Sequence, residues 1–253
     1  MNVFCIDVGN TRTHCAIVNG ASVRAVQNFD TASFAETFDF SGISESAEGV
    51  CWCSVVPSVS AEISRRLASC GVESVCLNFE NSPIAIDMKR PEQVGQDRIA
   101  VAVGAGEFFE PPYIVADMGT AVTIDVVDSR GRYAGGAIAP GLHAFASYLH
   151  EKTAQLPLID PKNADYDMTV GKDTVEAMHV GCVKGFCRLA DGIIADIERE
   201  FFPGGSAFSK TVFTGGSMEL LPKKWLAGRK VESNLANIGL ARAFEIISKK
   251  KQG

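Results

Sequence analysis

A strand–turn–strand phrase occurs twice in this chain, and that repetition constrains the fold more than any single motif. Residues 5–18 read C-I-D-V-G-N-T-R-T-H-C-A-I-V, and residues 115–127 read V-A-D-M-G-T-A-V-T-I-D-V-V. In each, an apolar strand ends in Asp-x-Gly, small hydroxyl or amide residues follow, and a second apolar strand begins. Glycine lets the backbone turn tightly, and the N–H and hydroxyl groups beyond it then face a ligand, which suits a metal-bound phosphate. A lone Asp-x-Gly often only closes a hairpin. Two copies, at Asp7 and Asp117, point to one unit duplicated into two halves, whose facing turns would grip a nucleotide from both sides of a cleft.

With 253 residues and 46% hydrophobic content, the chain can bury the core of one large domain or two small ones. The net charge is −6 and the basic residues form no block beyond Lys249, Lys250 and Lys251, which read as a solvated helix end. That balance argues against nucleic acid or an anionic membrane as the main partner. The first strand, Asn2 to Val8, follows no basic n-region, and no apolar run approaches the roughly 20 residues needed to span a bilayer. The expectation is a soluble, cytoplasmic protein. Cys51-x-Cys53 lacks a matching Cys/His pair at finger spacing, so the eight cysteines read as small hydrophobes of a reducing compartment.

Along the first half, β-forming runs predict strands at Val3–Val8, Thr13–Val18 and Ser22–Asn28, with turns at Gly9-Asn10 and Asn19-Gly20. A helix over Ala32–Phe38 and a loop rich in Ser, Gly and Glu lead to a strand over Val50–Val56. Ser58 is then expected to cap a helix through Leu67, with Glu62 roughly in capping-box register. A strand near Ser74–Leu77, a polar irregular segment over Met88–Gln96 and a helix over Asp97–Glu107 complete this half. Pro111-Pro112 is a natural boundary, so residues 1–112 form an N-terminal half and 113–253 a C-terminal half. The second half reads as strands over Tyr113–Asp117, Ala121–Val127, Tyr133–Ile138 and Lys210–Thr214. Its helices are expected over Leu142–Thr153, Thr174–Glu200 and Asn237–Lys249, with a short one after Gly215-Gly216. Strands alternating with helices in two similar halves indicate an α/β architecture.

Standard nucleotide loops are missing. G-x-x-x-x-G-K-[ST] does not occur, and Gly104-Ala105-Gly106 lies at a helix end rather than after a strand, so it reads as helix packing or termination. H-E-x-x-H and G-x-S-x-G are also missing. Four segments remain: Asp7-Val8-Gly9-Asn10-Thr11-Arg12; Gly95-Gln96-Asp97-Arg98; Asp117-Met118-Gly119-Thr120-Ala121 with Thr123 and Asp125; and Gly215-Gly216. On local sequence alone, Asp97 at a helix start is more simply an N-cap than a catalytic base. Arg98 is either a surface cation or a planar fork for a carboxylate or phosphoryl group. His143 and His179 are isolated on helices and read as surface or satisfied core. Met178 and Cys182 have core spacing, and Trp52 reads as packing on its strand.

Taken in order, the four segments resemble the superfamily of acetate and sugar kinases, heat-shock ATPases and actin. Within it the chain is similar to the type III pantothenate kinases, recognised by D-x-G-N-T, G-x-D-R and D-x-G-T-A-x-T-x-D. These appear as D-V-G-N-T, G-Q-D-R and D-M-G-T-A-V-T-I-D, together with the stretches at residues 135–141, 153–157 and 171–178, so that the resemblance spans nearly the whole chain. It implies a duplicated actin-like (ribonuclease H-like) ATPase fold with two similar halves around a nucleotide cleft. It also implies ATP-dependent phosphorylation of pantothenate to 4'-phosphopantothenate, the first step of coenzyme A biosynthesis.

The resemblance reverses the reading of Asp97, which becomes the general base. Asp7, Val8, Gly9, Asn10, Thr11, Arg12, Thr13, His14 and Thr120 would contact ATP, with Asp7 holding Mg²⁺ through water. Gly95, Gln96, Asp97, Arg98 and Thr174 would contact pantothenate. A monovalent cation, K⁺ or NH₄⁺, would bind near Asp117, and the family forms homodimers. Where the family often has a Tyr over the pantothenate pocket, this chain aligns Met88. The alternatives are another small-metabolite kinase of the same superfamily and a regulatory ATP-binding protein on the same fold.

Overall fold

The protein is described by a computed structural model that covers residues 1–203 and 210–252. In chain order its elements are β1 (Val3–Val8), β2 (Arg12–Asn19), β3 (Ser22–Asp30), α1 (Thr31–Thr37), α2 (Ile43–Ser46), β4 (Gly49–Ser54), α3 (Pro57–Leu67), β5 (Glu73–Cys76) and α4 (Gln96–Ala105). There follow β6 (Tyr113–Met118), β7 (Ala121–Val127), β8 (Tyr133–Pro140), α5 (Leu142–Lys152), α6 (Thr174–Met178), α7 (Gly185–Phe201), β9 (Thr211–Thr214), α8 (Lys223–Leu226), β10 (Lys230–Val231) and α9 (Leu235–Gln252). The contacts group these into two units. Unit 1 is Met1–Pro111 with Arg130–Ala134 and Asn234–Gly253, and unit 2 is Pro112–Ser129 with Gly135–Ser233.

Each unit is built on a five-stranded sheet, ordered β3-β2-β1-β4-β5 in unit 1 and β8-β7-β6-β9-β10 in unit 2. The correspondence extends to strand direction. β1 pairs antiparallel with β2 and parallel with β4, and β6 pairs antiparallel with β7 and parallel with β9. The repeated phrase of the sequence is thus the central strand pair of each sheet. β1 and β6 are covered on both faces, as the apolar runs V-F-C-I and Y-I-V-A require, and in each only the fifth residue, Asp7 or Asp117, keeps surface.

In unit 1 the rings of Phe29, Phe34, Phe38 and Phe40 pack beneath α1 with centroids 4.9 to 5.8 Å apart. On the other side of the chemistry-bearing strands, α4 crosses α9 at very close range. A Cβ on Gly239 would run into the carbonyl of Ala100, and one on Gly104 into the carbonyl of Leu235. Further along α9, the Phe244 ring fills the space that a side chain at Gly49 of β4 would need. The last helix of the chain therefore seats α4 against the sheet. This gives Gly104-Ala105-Gly106 its place in helix packing and helix termination.

Several expected elements differ in detail. Thr174–Glu200 is not one regular helix: α6 passes into a π-helical turn over His179–Lys184 before α7 begins. Gly181 and Gly185 lie at this turn, and apolar periodicity does not register one extra residue per turn. The expected Ser58 cap is replaced by Pro57 at the first helical position, with no side-chain cap bond. Glu62 instead pairs with Arg65 at 2.6 Å and Arg66 at 2.7 Å. The short α2, α8 and β10 carry too few residues to show a period. No helix among the described residues is long and apolar enough to cross a membrane.

Helix propensity and packing make opposite forecasts for Gly239→Ala. Propensity alone predicts a gain of about 1 kcal/mol. The collision with the Ala100 carbonyl predicts a net loss of about 1–3 kcal/mol, typical of an overpacked site. The variant is expected to unfold at lower urea concentration than the wild type, and a higher midpoint would refute the close crossing.

Candidate active site

In unit 1 the first turn is drawn in by α1. The Gly9 N–H donates to the Arg12 carbonyl at 3.0 Å, which leaves Asn10 and Thr11 at the tip. Thr31, the first residue of α1, donates its N–H to the Thr11 carbonyl at 3.2 Å and its hydroxyl to the Gly9 carbonyl at 2.9 Å. The same hydroxyl lies 3.0 Å from that of Thr13, which is fully buried. Three carbonyls of the turn are thereby tied back into the protein, while Asn10, Thr11 and Arg12 remain exposed. The Thr13 hydroxyl belongs to this inner lock, and Val8 is buried, so neither offers a side-chain group to a ligand.

Asp7 sits one residue before the strand end. In-register pairing places His14 of β2 and Cys53 of β4 beside it. The Cys53 thiol donates to Asp7 Oδ1 at 3.3 Å, and His14 Nδ1 lies 2.6 Å from Asn28 Oδ1. Burial pushes the Asp7 carboxyl up to about 6, and the charge of Asp97 adds to that rise, against the pull of His14 and the Cys53 thiol. Two carboxylates on separate elements therefore stand close enough to repel each other.

Asp97 is the second residue of α4, after the N-cap residue Gly95, which makes no side-chain cap bond. Its Oδ1 accepts the Arg98 N–H at 2.8 Å, as an acidic residue in a first helical turn does. That carboxylate lies over Gly95, in the space a Cβ there would take, so a side chain at this position would push the Asp97 carboxylate aside. The Gln96 side chain turns the other way, and its Oε1 accepts the Ser54 N–H at 2.8 Å. The Arg98 guanidinium lies over the ring of Tyr133, 5.7 Å from its centroid. Tyr133 is itself fully buried and bonded through its backbone to Ala85 and Asp87. Met88 follows directly and is 36% exposed.

Unit 2 repeats the device with different neighbours. Asp117 lies opposite Thr123 of β7, whose hydroxyl is buried and has no hydrogen-bond partner among the described residues. Gly215, at φ 101°, packs directly against the Asp117 carboxylate and the Met118 backbone, leaving no room for a side chain. The Gly119 N–H donates to the Ala121 carbonyl at 3.1 Å, which leaves Thr120 exposed at the tip, next to the exposed Ala121. Gly141 N–H at 3.0 Å holds the Thr120 carbonyl, and the Ser217 hydroxyl at 3.3 Å holds that of Gly119. Thr174 is exposed at the start of α6, whose cap Asp173 accepts the Glu176 N–H at 2.8 Å.

The site residues read from the sequence thus fall into two sets. Asp7, the 9–12 turn, His14 and the 95–98 segment belong to unit 1, and Asp117, Thr120 and Thr174 to unit 2. The sequence reading missed Cys53 as a donor to Asp7, Thr31 as the lock of the turn, Tyr133 beneath Arg98, and Ser217. No local pattern marks them, because each acts on a residue far away in the chain.

The family model for type III pantothenate kinase matches residues 3–196. A type III pantothenate kinase of Streptomyces avermitilis is 34% identical over 259 residues, covering 95% of this chain and 96% of that protein. Among solved structures, a conserved Campylobacter jejuni protein described as a Baf family transcriptional activator aligns with a TM-score of 0.64 at 18% identity, over 98% of each chain. The ROK hexokinase of Thermus thermophilus aligns with a TM-score of 0.55 at 14% identity, over 97% of this chain and all of that one. At such identities these structures show the fold alone. It is the duplicated, actin-like α/β fold that the two matching sheets display.

The lock on the first turn has a measurable cost of removal. Thr31→Val deletes the hydroxyl that serves both Gly9 and Thr13, and leaves their buried oxygens short of a partner. The expected destabilisation is about 1–3 kcal/mol in urea unfolding, with Thr31→Ser close to wild type. Equal stability of the Val and Ser variants would show that the hydroxyl holds nothing.

Proposed function

This chain belongs to the type III pantothenate kinase family, and on that premise we propose that Asp97 is the general base of its reaction, that Asp7 holds Mg²⁺ through water and that Asp117 holds a monovalent cation. The protein is an ATP-dependent kinase that converts pantothenate to 4'-phosphopantothenate, the first step of coenzyme A biosynthesis. The observation that carries the assignment of Asp97 is its carboxylate, set over Gly95 at the start of α4 and close enough to Asp7 to raise it. In the transfer, the primary hydroxyl of pantothenate attacks the γ-phosphorus. Its proton passes to Asp97 as the new P–O bond forms, and the bond to ADP breaks. Arg98, over the Tyr133 ring, offers its fork to the pantothenate carboxylate or to the moving phosphoryl group. Gly95 and Thr174 complete the substrate contacts.

The outward face of the turn from Gly9 to Arg12, with His14, would meet the ATP phosphates, as would Thr120 in unit 2. Thr13 and Val8 contribute through their backbone only. Asp7 suits Mg²⁺ held through water. Mg²⁺ takes few protein carboxylates and keeps its hydration, so a single carboxylate at the end of β1 would hold it through water. A cation there would also offset the repulsion between Asp7 and Asp97. Asp117 and the unpartnered Thr123 hydroxyl are oxygen donors that fit K⁺ or NH₄⁺. When bound, the two cations would supply positive charge against the phosphates, which this chain otherwise provides sparingly.

We further propose a homodimer working in the cytoplasm. Unit 2 exposes Ile138, Tyr148, Leu158, Val170 and Val175, apolar surface that a second copy would cover.

ADP release from MgATP, with and without pantothenate, tests the reading. Wild-type turnover is expected to depend on pantothenate, and turnover only with a different alcohol would point to another metabolite kinase. Asp97→Asn is expected to bind ATP normally by calorimetry and to lose about 10²- to 10⁴-fold in kcat. Near-normal turnover of that variant would remove Asp97 from the mechanism. In Na⁺ buffer the wild type should slow markedly, and Thr123→Val should need more K⁺ for half-activation. An unchanged K⁺ response would place the cation elsewhere.

A further inference from the structure

The side chain of Gln96, inside the substrate-binding segment, is turned to a different task. β4 and β5 pair in parallel from Gly49/Glu73 to Trp52/Cys76, and the last rung is the Leu77 N–H donating to the Trp52 carbonyl at 2.8 Å. Beyond it the chain turns away. Asn81 accepts the Asn78 N–H at 2.9 Å and donates its amide to the Cys76 carbonyl at 2.8 Å, closing the end of β5. On β4, the next donor facing β5 is the N–H of Ser54, two residues past Trp52 and on the same side. Without a strand to meet it, this N–H donates to Gln96 Oε1 at 2.8 Å, and the Cys76 thiol points at the same oxygen at 3.6 Å.

The adjacent residue of β4 is Cys53, whose thiol donates to Asp7. Two consecutive residues of one strand thus hold the two carboxylates of the site. Cys53 holds Asp7 directly, and Ser54 holds Asp97 through the neighbouring Gln96. α4 is already fixed at Ala100 and Gly104 by the close crossing with α9. The Gln96 bond adds a restraint at the first residue of α4, ahead of those contacts.

We propose that Gln96 is a positioning residue rather than a substrate contact: its carboxamide replaces the missing β5 rung at Ser54 and so sets the spacing between Asp97 and Asp7. This rests on the reading of Asp97 as the base. Misplacement of a reacting group by about 1 Å is enough to cost on the order of 10²-fold in rate. The loss should therefore appear in kcat and not in substrate affinity.

The test compares wild type, Gln96→Met, which has similar length but no carboxamide oxygen, and Gln96→Glu, which keeps an acceptor. Gln96→Met is expected to lose about 10- to 100-fold in kcat, with KM for ATP and pantothenate within about threefold. Its Ser54 amide should exchange hydrogen faster, whereas Gln96→Glu should keep Ser54 protected and be more active than Gln96→Met. If Gln96→Met fails to fold, Gln96→Asn takes its place, since one methylene less leaves the oxygen short of Ser54. Wild-type kcat in Gln96→Met, or a raised pantothenate KM at unchanged kcat, would overturn the proposal. Wild-type protein without pantothenate-dependent turnover would instead sink the kinase reading, and the Ser54 exchange measurement needs no turnover to be read.

Discussion

An ionised carboxylate at the end of a buried strand is costly unless donors or cations meet it, and each sheet of this protein carries one at the same place. The strand pairing decides what meets it. β1 brings Asp7 beside Cys53 and His14, and β6 brings Asp117 beside Thr123 and against Gly215. In unit 1 the available donor is a thiol, and a second carboxylate from α4 stands close by. In unit 2 an unpartnered hydroxyl and a glycine turn surround the acid. One duplicated scaffold therefore carries two differently furnished acidic sites, which suits a divided task of phosphate binding, proton transfer and cation binding.

The placement of the segment from Gly95 to Arg98 depends on a contact between distant parts of the chain. α9 lies at the C-terminal end of the sequence yet packs in unit 1, with Gly239 and Gly104 admitting a backbone approach that any larger residue would prevent. A helix seated on backbone atoms has little freedom to slide, and so its first turn is a firm base for Asp97 and Arg98. Tyr133 makes a similar contribution: as the first residue of β8 it belongs to unit 1 and lies under the Arg98 guanidinium.

Much of the fold was legible from residue order. β1 and β7 have the bounds that their apolar runs predict, Val3–Val8 and Ala121–Val127, because Asp-x-Gly and turn residues punctuate them sharply. The helix over residues 174–200 was legible as helical, but the π turn at His179–Lys184 was not, since it changes the register without changing the composition. Pro57 displaced the expected Ser58 cap because its fixed φ already suits the first helical position. For the site, Gly95 illustrates a residue whose presence was visible and whose reason was not. Only the folded structure shows that the Asp97 carboxylate occupies the space a side chain there would take.

By itself, the sequence determined the duplicated strand pairs, the position of an acid at the end of each, and membership of a kinase family. These are local patterns, carried by strand alternation, turn chemistry and short motifs. Only the tertiary structure decided which polar atoms meet. Cys53 reaches Asp7, Gln96 reaches Ser54 and Arg98 reaches Tyr133 across separations of 35 to 46 residues. Such contacts depend on the register of parallel strands and the docking of helices. Hydrophobic periodicity selects the face that a residue presents, whereas the partner waiting on that face is set by segments folded in from elsewhere in the chain.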